Sequence, residues 1–157
     1  MSAKRNGARL RQHYTFTLLQ AARAWRRYAN VVVETYGLSE ATALALIYIG
    51  RSKEAPRQSE LASTLGIEGP TLVRLLDQLC ALGLVVRRED PGDRRAKVLG
   101  LTDAGRDSVM AIEDELDVLR GSVLEKVSMA DLETSLRVFT AILDHTSRID
   151  VHQEIEA

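Results

Sequence analysis

The chain has little that would staple, anchor or export it. Cys80 is its only cysteine, which excludes an internal disulfide framework. No apolar run approaches the roughly 20 residues that span a bilayer. The first segment, Met1 to Arg11, is polar and basic, with no apolar stretch leading to a small-residue cleavage site. A cytoplasmic address without membrane association is therefore expected. Internal repeats and low-complexity tracts are missing too. So are the marks of catalysis: there is no glycine-rich phosphate loop and no Ser-His-Asp arrangement. None of His13, His145 and His152 forms a His-x-x-x-His pair or sits with the cysteine at ligand spacing, and only His13 and His145 could approach each other, if the terminal helices pack together. No enzyme activity, resident metal or cofactor is expected.

What is present is ordinary in amount and unusual in distribution. With 157 residues, 45% hydrophobic and 27% charged, the chain suits one compact domain, or one domain with helical extensions. The net charge of −1 looks wrong for a nucleic-acid binder. From residue 102 onward, however, 13 acidic and 5 basic residues give −8, while residues 1–101 hold 16 basic and 9 acidic residues and carry +7. Such asymmetry suits a polyanionic partner for one part only. Chance segregation of surface charge gives the same count, so other features have to decide between the two.

Hydrophobic spacing supplies the element order. Tyr14, Leu18, Ala21, Trp25, Ala29, Val32 and Tyr36 recur at intervals of three or four, the face of a long helix, with Gly37 as its stop. Ser39 is a fair N-cap for a helix over Glu40 to Ile49. A short helix follows, about Gln58 to Leu65, with Leu61, Ala62 and Leu65 inward and Gly66 closing it. Pro70 then sits where a first-turn proline belongs, opening a helix striped by Leu72, Leu75, Leu76, Leu79 and Leu82 and ended by Gly83. Helix, tight turn and amphipathic helix form the helix-turn-helix layout. Leu84-Val85-Val86 and Lys97 to Leu101 read as short strands joined by the charged segment Glu89 to Arg95, whose Pro91-Gly92 marks a turn. Thr102 caps a helix carrying Val109, Ile112, Leu116, Leu119, Val123 and Val127. Ser128 with Asp131 starts a last one striped by Leu132, Leu136, Phe139 and Leu143. The fold class is mainly α with a small β-hairpin wing: a winged helix-turn-helix over 38–101, flanked by N-terminal (1–37) and C-terminal (102–157) dimerisation helices.

The second helix of the pair carries the function. Its leucine stripe leaves Glu68, Thr71, Arg74, Asp77 and Gln78 outward. Thr, Arg and Gln suit hydrogen bonding to base edges or phosphates, and an α-helix fits the major groove. Arg74 is the base reader expected first, because its planar fork matches the N7/O6 edge of guanine. Gly69-Pro70 leaves free backbone N–H groups where a helix N-terminus favours phosphate. Taken alone, this is also what a solvated helix face looks like. The hairpin tips the balance. Arg87, Arg88, Arg94, Arg95 and Lys97 lie within eleven consecutive positions, and arginines on a mobile tip suit the electronegative minor groove. Asp93 beside them is placed to hold one in a fixed rotamer by a bidentate pair.

Gly66-Ile67-Glu68-Gly69-Pro70-Thr71-Leu72-Val73-Arg74-Leu75-Leu76-Asp77-Gln78-Leu79, then Gly83-Leu84-Val85, Asp93-Arg94-Arg95-Ala96-Lys97 and Leu101-Thr102, resemble the MarR family, closest to its SlyA-type members. The resemblance runs from about Leu38 to Gly105, and Trp25-Arg26 also fits. The terminal helices match only in length and pattern. The resemblance implies a homodimer with intertwined terminal helices and two winged-helix lobes on a palindromic operator of double-stranded DNA. It implies that Thr71 and Arg74 touch the major groove, that Arg94 and Arg95 serve the minor groove, and that Asp93 braces the wing. It further implies relief by a small aromatic or phenolic anion, salicylate-like, held near Trp25, Thr42 and Arg74. Independently of the family, the apolar stripes of the terminal helices exceed what one small lobe covers, and monomers rarely tolerate so large an exposed patch. Cys80 reads as a small buried hydrophobe, since the family's peroxide sensors carry their cysteine on the first long helix. Arg23, Arg26 and Arg27 read as a solvated face or as partners of the acidic last helices, and drawing in an anionic ligand is the sharper alternative for them. The competing function is a winged-helix protein-interaction module without sequence-specific DNA binding. Such a module has no need of Asp-Arg-Arg at a wing tip beside an arginine on the recognition helix.

Overall fold

A computed structural model describes residues 2–90 and 92–146, the side chains of 2–4, 94 and 95 apart. The chain divides into two compact units, Met1–Leu119 and Arg120–Ala157. In order, the elements are α1 (Ser2–Glu34), α2 (Glu40–Arg51), α3 (Gln58–Leu65), α4 (Gly69–Ala81), β1 (Val85–Asp90), β2 (Asp93–Leu101), α5 (Asp103–Val123) and α6 (Met129–Thr146). The sequence expectation of six helices and one hairpin matches this element list.

The helix boundaries follow from local chemistry. Ser39 Oγ accepts the Thr42 N–H at 3.3 Å, as an N-cap does. Gly66, in the left-handed region at φ +62°, closes α3, and its N–H reaches the Ser63 carbonyl. A side chain there would be strained, and this residue makes the turn between α3 and α4 short. Ser128 Oγ accepts the Asp131 N–H at 3.1 Å and starts α6.

Several boundaries differ from the sequence reading. α1 runs from Ser2 to Glu34, within the 1–37 expected of it, so Tyr36 lies beyond its end, and α2 continues past Ile49 to Arg51. Val127 lies beyond α5, which ends at Val123 and gives way to a turn closed by the Val127 N–H on the Leu124 carbonyl. The strands are longer than their apolar runs. Val85 pairs with Leu101, and the ladder continues through Arg87–Leu99 to Glu89–Lys97. The ladder runs through Arg87, Arg88 and Glu89, so the charged segment is largely strand rather than loop, although β1 shows no strict alternation of buried and exposed positions.

The core of the first unit gathers Leu46 of α2, Leu61 of α3, Leu72, Leu76 and Leu79 of α4, Leu99 of β2 and Ile112 of α5, all essentially inaccessible. Each such side chain contributes about 1.5–3 kcal/mol relative to exposure. Leu82, expected on the α4 stripe, is instead the C-cap and 54% exposed, because the helical phase ends before it. In the second unit α6 has no fully buried residue among those described. Leu132 and Ile142 are half-buried, while Leu136 and Leu143 are 63% and 67% exposed.

The hairpin is joined to α5 by a tight exit. Thr102 Oγ1 donates to the Gly83 carbonyl at 2.7 Å and accepts the Gly105 N–H at 2.9 Å. This brings the start of α5 so close to β1 that a Cβ on Gly105 would lie 2.0 Å from the Leu84 carbonyl oxygen. That oxygen is backbone and cannot swing away. Gly105→Ala is therefore expected to destabilise the protein by about 1–3 kcal/mol, the usual cost of overpacking. Urea unfolding of the two proteins checks this, and equal midpoints would contradict the close approach.

Candidate nucleic-acid interface

Burial of Leu72, Leu76 and Leu79 fixes the rotation of α4. The face left outward carries Thr71, Arg74, Asp77 and Gln78, all exposed. At its start Glu68 is an exposed N-cap that makes no side-chain cap bond, and Gly69-Pro70 forms the first turn. The leading N–H groups of α4 thus have no side-chain acceptor from their own cap and favour an anion.

The hairpin flanks this helix. Arg87, counted in the sequence reading among the wing arginines, turns the other way. Its Nη2 donates to the Val73 carbonyl at 3.1 Å and lies 2.8 Å from Asp77 Oδ1. It ties β1 to α4, and Asp77 serves that tie rather than a base. Arg57, the residue before α3, donates through Nε and Nη2 to Asp90 Oδ2, each at 2.6 Å. Asp90 also accepts the Gly92 N–H at 2.8 Å. These contacts, the turn N–H of Gly92 first and the Arg57 guanidinium second, hold the Asp90 carboxyl below the ordinary carboxylate range, and the same pair raises Arg57 above its own. Lys97 faces Glu89 across the hairpin, 3.4 Å apart. Asp93, given the bracing part by resemblance, is exposed. The side chains of Arg94 and Arg95 lie outside the described residues, although their backbone belongs to β2. Arg57, Asp90 and the inward turn of Arg87 were not found from the sequence. Two signals were available: an arginine where a small capping residue is usual, and an Asp directly before Pro-Gly, the pattern of an Asx turn.

The charge count also reads differently on the structure. Seven basic residues and no acidic one precede Glu34, whereas 34–101 hold nine of each. Most of the positive excess belongs to α1, +6 with Glu34 counted, and the winged lobe over 38–101, with nine basic and eight acidic residues, carries only +1. Within it Arg51, Arg57, Arg87 and Lys97 are matched to Glu113, Asp90, Asp77 and Glu89. Arg74 and Arg88 are exposed, with no ion pair among the described residues. Arg26 pairs with Glu40 at 2.6 Å, not with the last helices.

A cavity of about 460 Å³ opens between the α1–α2 turn and the end of α4, lined by Leu38, Ser39, Thr42, Gln78, Ala81 and Leu82 among others. Of the three residues assigned to a ligand by resemblance, Thr42 lines it. Thr42 is 2% exposed, and its hydroxyl donates to the Ser39 carbonyl at 2.8 Å. Trp25 is half-buried on α1, Arg74 is exposed on α4, and neither is among the described walls of this cavity. Cys80 is half-buried. Among the described residues no cluster of His, Cys, Asp and Glu is placed to hold a metal ion, and no helix is long and apolar enough to cross a membrane.

The MarR family model matches residues 36–96. The solved transcriptional regulator PA3341 is 35% identical, with a TM-score of 0.81, over 87% of this chain and 99% of its own. The chain belongs to the MarR family. Its function is accordingly that of a DNA-binding transcriptional regulator. Two more distant structures share the fold. Staphylococcus aureus MepR, in a DNA complex, is 23% identical with a TM-score of 0.75 over 85% of this chain and 97% of its own. Staphylococcus aureus MarR, in complex with salicylate and kanamycin, is 20% identical with a TM-score of 0.79 over 88% and 93%. In this MarR-family chain the hairpin is tied to α4 by Arg87 and to the start of α3 by Arg57, in addition to the shared core.

Because Asp90 has a lowered folded-state pKa, its stabilisation is complete above the unfolded carboxylate value of about 3.9. It is lost as pH falls through the still lower folded value. Urea unfolding of wild type and Asp90→Asn should show a constant stability gap from neutral pH down to about pH 5, shrinking below pH 4. A gap that stays constant into that acid range would refute the assignment.

Proposed function

We propose that this regulator acts as a homodimer on a palindromic operator. Each lobe offers Thr71, Arg74 and the Glu68-Gly69-Pro70 helix start to the major groove, and Arg94, Arg95 and Lys97 to the adjacent minor groove, with Asp93 next to them. The observation that carries the reading is the position of Arg74. It stands exposed at the centre of the outward face of α4, in a lobe whose other described cations are mostly consumed by ion pairs. Dimerisation is supported by the apolar side chains that α1 and α6 leave exposed, Phe16, Leu19, Val31, Leu136 and Leu143 among them. In this reading 1–37 and 102–157 are the dimerisation segments and 38–101 the DNA-binding lobe. The protein is a cytoplasmic, SlyA-type member that works by binding rather than catalysis. A small aromatic anion such as salicylate is its proposed signal. The cavity beside Thr42 is the candidate place for it, because a ligand there touches both the α1–α2 turn and the last turn of the reading helix.

Selection of bound sequences from random duplex should yield a palindrome, and a salicylate-like compound should weaken its recovery. On that site Arg74→Ala is expected to cost about 1–3 kcal/mol and to relax preference at one base pair per half-site. Equal losses on selected and random duplex would refute base reading by Arg74. Light scattering at micromolar concentration should report a dimer, and a monomer would remove the paired half-sites.

A further inference from the structure

Arg57 occupies the N-cap of α3, in extended backbone at φ −71° and ψ 150°, and makes no side-chain cap bond there. Ser, Thr, Asp or Asn at that position would stabilise the helix. Here the chain forgoes that cap and sends the guanidinium across to the end of β1. Its target, Asp90, is buried and sits where the hairpin register shifts, between the regular ladder and the turn. The Asp90 carboxylate therefore holds the turn, through the Gly92 N–H, and the helix-turn-helix, through Arg57, at once. Beside it an open groove of about 830 Å³, lined by Tyr48, Lys53, Pro56, Arg88 and Val98, separates the α2–α3 segment from the outer half of the hairpin. Nearer the core the hairpin is fastened by the Leu99 N–H on the Pro56 carbonyl and by the Arg57–Val98 bridge. The outer half is fastened at Asp90.

We propose that Arg57 and Asp90 form a latch that positions the wing tip relative to the reading helix, and so determines whether one lobe engages its major and minor grooves together. Arg57 is a positioning residue acting through Asp90, and its own contact with DNA is not required. The proposal rests on the reading of the wing as a minor-groove element.

The test uses the full-length dimer on its selected operator, with Arg57→Gln, Arg57→Lys, Asp90→Asn and the double variant Arg57→Gln/Asp90→Asn. Hydroxyl-radical cleavage reports the outer minor grooves, and methylation of guanine N7 reports the major groove. Both Arg57→Gln and Asp90→Asn should lose minor-groove protection, keep major-groove protection and bind about tenfold more weakly, the scale of one lost base-pair preference. The double variant should be no worse than either single one, because the two residues act as a unit. Arg57→Lys keeps the charge without the two-nitrogen grip and should recover part of the protection. Amide exchange of Gly92 in the free protein should quicken in the Gln and Asn variants while the α4 amides stay slow, which separates a loosened wing from a misfolded lobe. Two results overturn the latch. One is minor-groove protection that survives in both single variants. The other is a binding loss confined to Arg57→Gln with a salt slope shallower by about one, the sign of a direct phosphate contact. A wild-type footprint with no outer minor-groove protection overturns instead the wing reading on which the latch depends.

Discussion

The candidate interface depends throughout on how α4 is seated. Leu72, Leu76 and Leu79 enter a core shared with α2, α3, β2 and α5, and a helix held by three buried leucines on one stripe cannot rotate about its axis without exposing them. At about 100° per residue, the burial of those positions dictates that Thr71, Arg74 and Gln78 face out. The hydrophobic contact thus decides which polar groups α4 turns outward, though none of its atoms is exposed there. The close approach at Gly105 and the Thr102 hydroxyl complete the seating by fixing where the hairpin leaves the core.

Electrostatics then refines what packing has set. The winged lobe carries a net charge of only +1 over 38–101, so general attraction to phosphate is not its main device. Among the described residues four of its cations, Arg51, Arg57, Arg87 and Lys97, are matched in ion pairs, and two of these pairs, Arg87 with Asp77 and Arg57 with Asp90, tie the hairpin to α4 and to the start of α3. Each is partly exposed, so its direct contribution to stability is small. Its value lies in orientation, because a guanidinium that grips a carboxylate from a neighbouring element limits how far the two can swing. The strongly basic part of the chain is α1, and the acidic part begins after the hairpin, so the net charge of the whole masks two segments of opposite sign.

Much of the fold was legible because it rests on local signals. The bounds of α3, Gln58 to Leu65, follow from its apolar residues and Gly66. The Ser39, Thr102 and Ser128 caps make the hydrogen bonds their residue types suggest. The point within 1–37 at which α1 starts was not legible, since its apolar stripe registers only from Tyr14. The full length of the strands was not legible either, because charged residues on a hairpin look like loop. In the site, the outward position of Arg74 followed from subtracting the leucine stripe. The inward turn of Arg87 did not, because its partners Val73 and Asp77 are 14 and 10 positions away and no periodic rule links a strand to a preceding helix.

The sequence by itself determined the element order, the outward face of α4 and the family, since caps, stripes and the Asp-Arg-Arg wing act over a few residues each. Tertiary structure alone decided which cations are free. Arg57 and Asp90 are 33 residues apart, and only the folding of the hairpin back against α3 brings them into contact. Whether an arginine is a reader, a clamp or a latch depends on which carboxylate the packed chain places beside it, and that is a property of long-range geometry rather than of spacing.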